Sequence, residues 1–253
     1  TIPTVWLLAR LVFLLGNCSY YLVTLSNLAP ALYFWDGGYS MLGGIFGALL
    51  AAALFGRITH TPKKELLSAM SLGLPVSIAI ARLFEAGTGL GEGRDGDPLL
   101  GLIPHEGIQP VWLFEAIAAG LILLVLLRKP MQRTTLFLVL FGLSQTFLES
   151  LRDDGHLVVH FVRIQQVLSL MMAFAVFIRA LIRLFRQGQA ARSMYFLIPA
   201  MFLLALAVFS EFGVDRWGSR SLAYGIMLVT LAGIGYLCLK ADQLSQMEAA
   251  HGT

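Results

Sequence analysis

Only two cysteines, Cys18 and Cys238, occur in the 253 residues of this chain. They fall in different predicted helices toward opposite membrane faces, which argues against a disulfide, and neither has a metal-type spacing. Charge is equally scarce. Asp, Glu, Lys and Arg make up 13% of the residues, about half the share usual in soluble domains, and that excludes an ordinary water-facing surface. No cleavable signal peptide is visible, and no internal repeat is evident. A formal net charge of +3 gives no argument for a nucleic-acid partner, because in so apolar a chain the sign of each loop matters more than the total.

What is present is hydrocarbon. Apolar residues make up 57% of the chain and mean hydropathy is +0.76. Runs long enough to cross a bilayer recur along the whole length. The sequence predicts an all-α integral membrane protein with about eight transmembrane helices, over 5–27, 39–56, 66–86, 110–127, 135–150, 165–185, 195–212 and 221–239. The connecting segments alternate in sign. Residues 57–64, 128–133 and 179–192, with Lys240, carry 11 of the 18 basic residues. The other connections carry Asp36, Glu92, Asp95, Asp97, Glu106, Asp153, Asp154 and Asp215. The positive-inside rule then places both termini in the cytoplasm and the acidic loops outside. The Arg-rich stretch 179–192, alternating with Leu, Ile and Phe, reads as a helix end in the inner-leaflet headgroup layer; a partner-binding site is the other reading.

A charge inside a span is costly unless it has a partner or a use, so the polar residues at the outer ends carry the functional argument. In "FWDGGYSMLGG" (34–44) the glycine pairs permit close approach to a ligand or to another helix, and Gly43 with Gly47 is also a small-xxx-small packing pattern. In "IARLFEAGTGLGEGR" (80–94), Arg82 and Glu85 share a helical face. They either pair structurally or, with the exposed amides of Gly87, Gly89, Gly91 and Gly93, make a phosphate cradle. Pro110 suits a helix start. Glu115, more than a turn inside the next span, either pairs with a buried Arg or takes part in binding or acid–base chemistry. Glu149 and Arg152 share a face near Asp153, Asp154, His156 and His160; loop histidines such as these usually are only solvated. Arg10 reads as snorkelling to the cytoplasmic headgroups.

Taken together, these stretches resemble the bacterial prolipoprotein diacylglyceryl transferase family. "WDGGYSMLGGIFG" (35–47) resembles its W-[DE]-G-G-M-S-F-H-G-G-L-I-G segment. "ARLFEAGTGLGEGR" (81–94) resembles its arginine- and glycine-rich signature, "IQPVWLFEA" (108–116) its H-P-[ST]-Q-L-Y-E-A, "ESLRDDG" (149–155) its E-[FY]-x-R-x-P-D, and "IQQVLSL" (164–170) its M-G-Q-[IWL]-L-S. The order and spacing agree over about 8–178. The resemblance implies a transferase-like core over 1–190 and an added two-helix extension with a cytoplasmic tail over 191–253. It also implies a family span upstream of Thr1.

The implied reaction moves a diacylglyceryl group from phosphatidylglycerol to the thiol of a lipobox cysteine, at the outer face of the bacterial inner membrane, without metal, nucleotide or other cofactor. The implied catalytic residues are Arg82 and Arg152 on the phosphate and Glu115 holding the site together. Gly37, Gly38, Gly43, Gly44, Glu85, Glu149 and Arg94 are the implied substrate-binding residues. The implied partners are phosphatidylglycerol and a prolipoprotein signal peptide; the last two spans are expected to dock a membrane protein.

The departures bear on activity. Leu42 stands where the family has histidine, Glu85 where it has asparagine, and its H-P-x-Q becomes Gln109, Pro110, Val111 and Trp112. A base would then come from His105, His156, His160 or Glu85. The alternative is a non-catalytic descendant that serves as a lipid-binding subunit or scaffold. A transporter is disfavoured, because the chain lacks an inward-side polar set and broken helices at mid-membrane.

Overall fold

The computed structural model describes residues 2–17, 29, 33, 35, 38–86, 88, 90–93, 109–153, 158–159 and 162–251. Eight α-helices follow in order: α1 Ile2–Gly16, α2 Met41–Ile58, α3 Lys63–Phe84, α4 Val111–Arg128, α5 Arg133–Leu151, α6 Ile164–Arg186, α7 Ala190–Val214 and α8 Arg220–His251. Seven of them, α2 to α8, are long and apolar enough to cross a membrane. The chain is an all-α integral membrane protein; among the described residues its extended backbone amounts to a two-residue ladder, β1 Val158–Val159 against β2 Val162–Arg163, and two isolated bridges.

Two elements differ from expectation. At 15 residues α1 reaches about 22 Å, short of a bilayer core of about 30 Å, and the rest of the expected first span lies outside the described residues. α8 runs 32 residues, well past the expected end at 239. Its added turns are polar yet anchored: Asp242 is buried and takes a hydrogen bond from Arg179 of α6 at 3.1 Å. That ion pair carries the helix on where hydropathy alone would stop it.

Local chemistry sets the helix starts. The Ser40 side chain accepts from the Gly43 amide at 3.3 Å and caps α2. Pro110 precedes the first residue of α4, as expected. Gln166 Oε1 accepts from the Arg163 amide at 2.8 Å and opens α6.

Consecutive helices pack side by side from α1 to α6, and α7 and α8 pack against α6 and each other. One end of the bundle thus gathers the start of α2, the end of α3, the start of α4, the end of α5 and the start of α6. The opposite end gathers Arg57, Lys64, Arg128, Arg133, Arg179 and Arg183. Two apolar clusters fill the interior. One, around Phe177, Ala180, Tyr224 and Ile234, joins α5 and α6 to α7 and α8. The other, around Leu42, Ile78, Ile122 and Phe137, joins α2 to α5. Leu121, Ile178, Phe202 and Val229 are more than half exposed, as lipid-facing side chains are.

Candidate active site

Arg82 lies in the last turn of α3, and Glu85 ends that helix. Their spacing aligns the side chains, and Arg82 Nη1 donates to Glu85 Oε1 at 2.5 Å. Glu115 sits on α4 about 6 Å below its first residue. There it meets Arg82 Nε at 2.8 Å, near in distance but with the N–H not aimed at the oxygen. Arg152 leaves the end of α5 in extended backbone. Its Nη1 reaches the same carboxylate, 3.2 Å from Oε1 and 3.0 Å from Oε2. Two guanidiniums from different helices therefore converge on one carboxylate, and Glu115 and Arg152 are each only 2% exposed.

Three residues that sequence reasoning missed complete the cluster. Gln145 Nε2 donates to Glu115 Oε1 at 2.7 Å and to Glu149 Oε1 at 3.1 Å, bridging two carboxylates. Arg163 Nη2 donates to the Arg152 carbonyl at 2.5 Å. Gln166, which caps the Arg163 amide, also donates to the Thr146 carbonyl at 3.4 Å. Gln145 was detectable: a polar side chain within an apolar span, four residues before Glu149, meets the criterion that picked out Glu115.

Of the glycines after α3, Gly93 is not a free donor. The Gly93 amide donates to the Gln109 carbonyl at 2.7 Å, and the Asp153 amide donates to Glu92 O at 3.0 Å. Bridges Glu92–Pro110 and Gly93–Arg152 make residues 92–93 a strip between the start of α4 and the end of α5. The expectation of an exposed amide is thereby corrected at Gly93: burying its N–H requires a partner, and Gln109 supplies it. Gly91 accepts from the Trp112 amide at 2.9 Å, and a Cβ there would lie 2.8 Å from Glu85 Oε2 and 2.9 Å from Trp112 Cβ. Two of the departing residues, Glu85 and Trp112, thus flank one glycine.

Not every expected site residue joins this cluster. Arg82, Glu85, Glu115, Glu149 and Arg152 come together. Gly38, Gly43 and Gly44 face α1. Gly38 adopts φ +74° against Phe13 and Arg10, and Gly43 and Gly47 leave no room for a Cβ against the α1 backbone at Leu8 and Val5. Gly37, Arg94, Gly87, Gly89, His105, His156 and His160 lie outside the described residues. Leu42 is 1% exposed, within the apolar cluster of α2 to α5.

Arg10 is a correction. It is buried, donating to Gly38 O at 3.0 Å and Tyr33 O at 3.1 Å, with its guanidinium 5.8 Å from the Phe13 and Tyr39 ring centres. Because residues 38–40, just before α2, lie against α1, with the Ser40 amide on Ala9 O at 2.9 Å, Arg10 lies at the end of the bundle that holds the cluster, not at the basic end.

Three cations, Arg82, Arg152 and Arg163, stand with three carboxylates, Glu85, Glu115 and Glu149. Among the described residues the Arg82 and Arg152 guanidiniums are already held by the carboxylates of Glu85 and Glu115. Of these two carboxylates Glu85 is the more accessible: its side chain is 22% exposed, against 1% for Glu115. Beside the cluster, α6, α7 and α8 wall an apolar cavity of about 520 Å³ that touches Thr146, Gln166 and Glu211. Among the described residues, no group of three His, Cys, Asp or Glu side chains is arranged to hold a metal ion.

Comparison with known proteins finds that the model of the family described as prolipoprotein diacylglyceryl transferase matches residues 1–182. Curated relatives include three proteins named phosphatidylglycerol–prolipoprotein diacylglyceryl transferase. That of Clostridioides difficile is 28% identical over 67% of this chain and 69% of its own length. That of Rhodospirillum rubrum is 32% identical over 56% and 58%. That of Rhizobium meliloti is 29% identical over 59% and 60%. The chain thus spans less than two thirds of the latter two relatives. No solved structure matches.

Proposed function

The chain belongs to the prolipoprotein diacylglyceryl transferase family, and from that premise we propose that it transfers the diacylglyceryl group of phosphatidylglycerol to a lipobox cysteine thiol at the outer face of a bacterial inner membrane. The observation that carries this reading is the convergence of Arg82 and Arg152 on Glu115. A thiolate attacks the glyceryl carbon that bears the phosphate. The new C–S bond forms as that carbon's C–O bond breaks, the electron pair leaves with glycerol 1-phosphate, and the thiol proton passes to a base. Arg82 and Arg152 carry the charge that builds on the departing phosphate, and Glu115 sets the distance between them. The apolar cavity beside α6 is suited to an acyl chain. Both termini are cytoplasmic and the cluster faces outward, from the distribution of basic residues. Helices α7 and α8 are an extension of the transferase-like core.

A second reading has its own observation. Leu42, at the position of the family histidine, is part of the packed core, and the arginines already hold carboxylates. A lipid-binding scaffold that kept the fold and lost the base has this form.

The test is a reconstituted assay with phosphatidylglycerol and a lipobox peptide, following glycerol phosphate release and peptide mass. Diacylglyceryl-peptide that is lost in Arg82→Lys, with that variant still folded, supports the transferase. No product beside an active family enzyme would sink it and favour the scaffold.

A further inference from the structure

The far end of the bundle holds a second cavity that the transferase reading does not use. A cavity of about 980 Å³ opens there between the start of α3, the start of α5, α6 and the end of α8. Four cations line it, Lys64 from α3, Arg133 from α5, and Arg179 and Arg183 from α6, against one lining carboxylate, Glu65. Behind them lies Asp242, 2% exposed. Its Oδ1 is 3.1 Å from Arg179 Nη2 and 3.9 Å from Arg183 Nη1, while Oδ2 accepts from Gln246 at 2.6 Å. Asp242 therefore holds the Arg179 guanidinium at the rim by a hydrogen bond, with Arg183 near it but not bonded to it. Four positive groups face two negative ones, so an anion is the chemically matched occupant.

The wall also supplies hydroxyl and hydrocarbon. Thr135 Oγ1 accepts from Arg179 at 3.3 Å, which leaves its own proton to donate. Thr134 and Ser68 line the same space, and Leu67 and Leu72 give it an apolar side. Cations, hydroxyls and an apolar flank together fit a phosphodiester with its glycerol and first methylenes better than a free ion. By the charge distribution this end lies in the inner leaflet, where basic clefts between helices take anionic headgroups. Its size falls at the upper end of ordinary ligand cavities.

We propose that this cavity binds the phosphodiester headgroup of an anionic phospholipid of the inner leaflet, held by Lys64, Arg133, Arg179 and Arg183. The inference does not depend on the transferase activity at the other end.

The experiment uses the full chain in neutral detergent with a photo-crosslinkable phosphatidylglycerol, mapping labelled peptides. Label is expected within 64–72 and 179–186. In Lys64→Gln/Arg183→Gln it falls by roughly thirtyfold, the worth of two basic groups at an anionic surface; label at peptides of the opposite end stays. A melting transition in detergent like that of the wild type shows that the double variant is folded. Arg183→Lys, which keeps the charge, retains most of the inner-end label. Label confined to the opposite end, or unchanged in the double variant, overturns the proposal. Equal labelling by a phosphatidylcholine probe makes the cavity an unselective lipid crevice and overturns it too. Displacement by millimolar inorganic phosphate assigns the site to free phosphate and overturns the lipid.

Discussion

Arg82 and Arg152 lie 70 positions apart in the chain yet meet across a single side chain, with Glu115 Oε2 2.8 Å from Arg82 Nε and 3.0 Å from Arg152 Nη1. One carboxylate thereby keeps two buried guanidiniums together. Removing its charge leaves both without their shared counter-ion. Glu115→Gln is expected to cost on the order of 3–5 kcal/mol, the usual penalty for breaking a buried pair from one side. Thermal unfolding of the purified protein in detergent measures it; a melting temperature equal to that of the wild type would show that the cluster is not structurally needed.

In the proposed reaction, a phosphate arriving at Arg82 would compete with Glu85, which pairs with its Nη1. Glu85→Asn, which installs the residue of the resembling family, frees Nη1 and removes one negative charge. Phosphatidylglycerol affinity should rise about tenfold if the released guanidinium forms one charge-assisted hydrogen bond of ordinary strength. A lipid titration before and after substitution reads this, and weaker binding in the variant would mean that Glu85 helps to hold the substrate rather than blocking it.

How far the sequence foretold this molecule depends on the kind of interaction. Hydropathy located the helices from α2 to α7 within a few residues, because burial in lipid acts on each segment by itself. The pairing of Arg82 with Glu85 was legible for the same reason, being local to one helical turn. Glu115 was recognisable as a buried acid needing an arginine, but not as one shared by two. The strip formed by Glu92 and Gly93 left no periodic mark, since two residues bridged on both sides are placed by α4 and α5 rather than by their own propensity. Arg10 was misplaced because its depth follows from the contact of α1 with Gly38 and Ser40 just before α2, a tertiary relationship invisible in a window of hydropathy.

The packing of α2 on α1 separates two adjacent glycines. A Cβ on Gly43 would fall 2.8 Å from Ala9 Cα and press on the Leu8 carbonyl, whereas one on Gly44 would meet Val5 Cγ1 at 3.8 Å. Gly43→Ala is thus expected to destabilise by about 1–3 kcal/mol as an overpacked interface does, and Gly44→Ala by much less. Melting temperatures of the two variants decide it; equal losses would contradict the close approach of the two helices at Gly43.

Leu42→His restores the histidine that the resembling family has at this position, and its outcome bears on the two functional readings. Leu42 is 1% exposed in the cluster that includes Ile45, Ile78 and Phe137. A neutral imidazole there finds apolar neighbours, and an unpaired polar group costs about 1–3 kcal/mol. A charged imidazole would cost more. The expected result is therefore a lowered melting temperature with no gain in diacylglyceryl-peptide formation. If activity instead rises while the fold holds, the side chain at 42 must reach the reacting thiol, and α2 must turn in the lipid-bound state to bring it there. A rise of that kind would favour a transferase missing one base. The expected loss of stability would mean that the core has closed over the position, and that any base must come from elsewhere in the outer half.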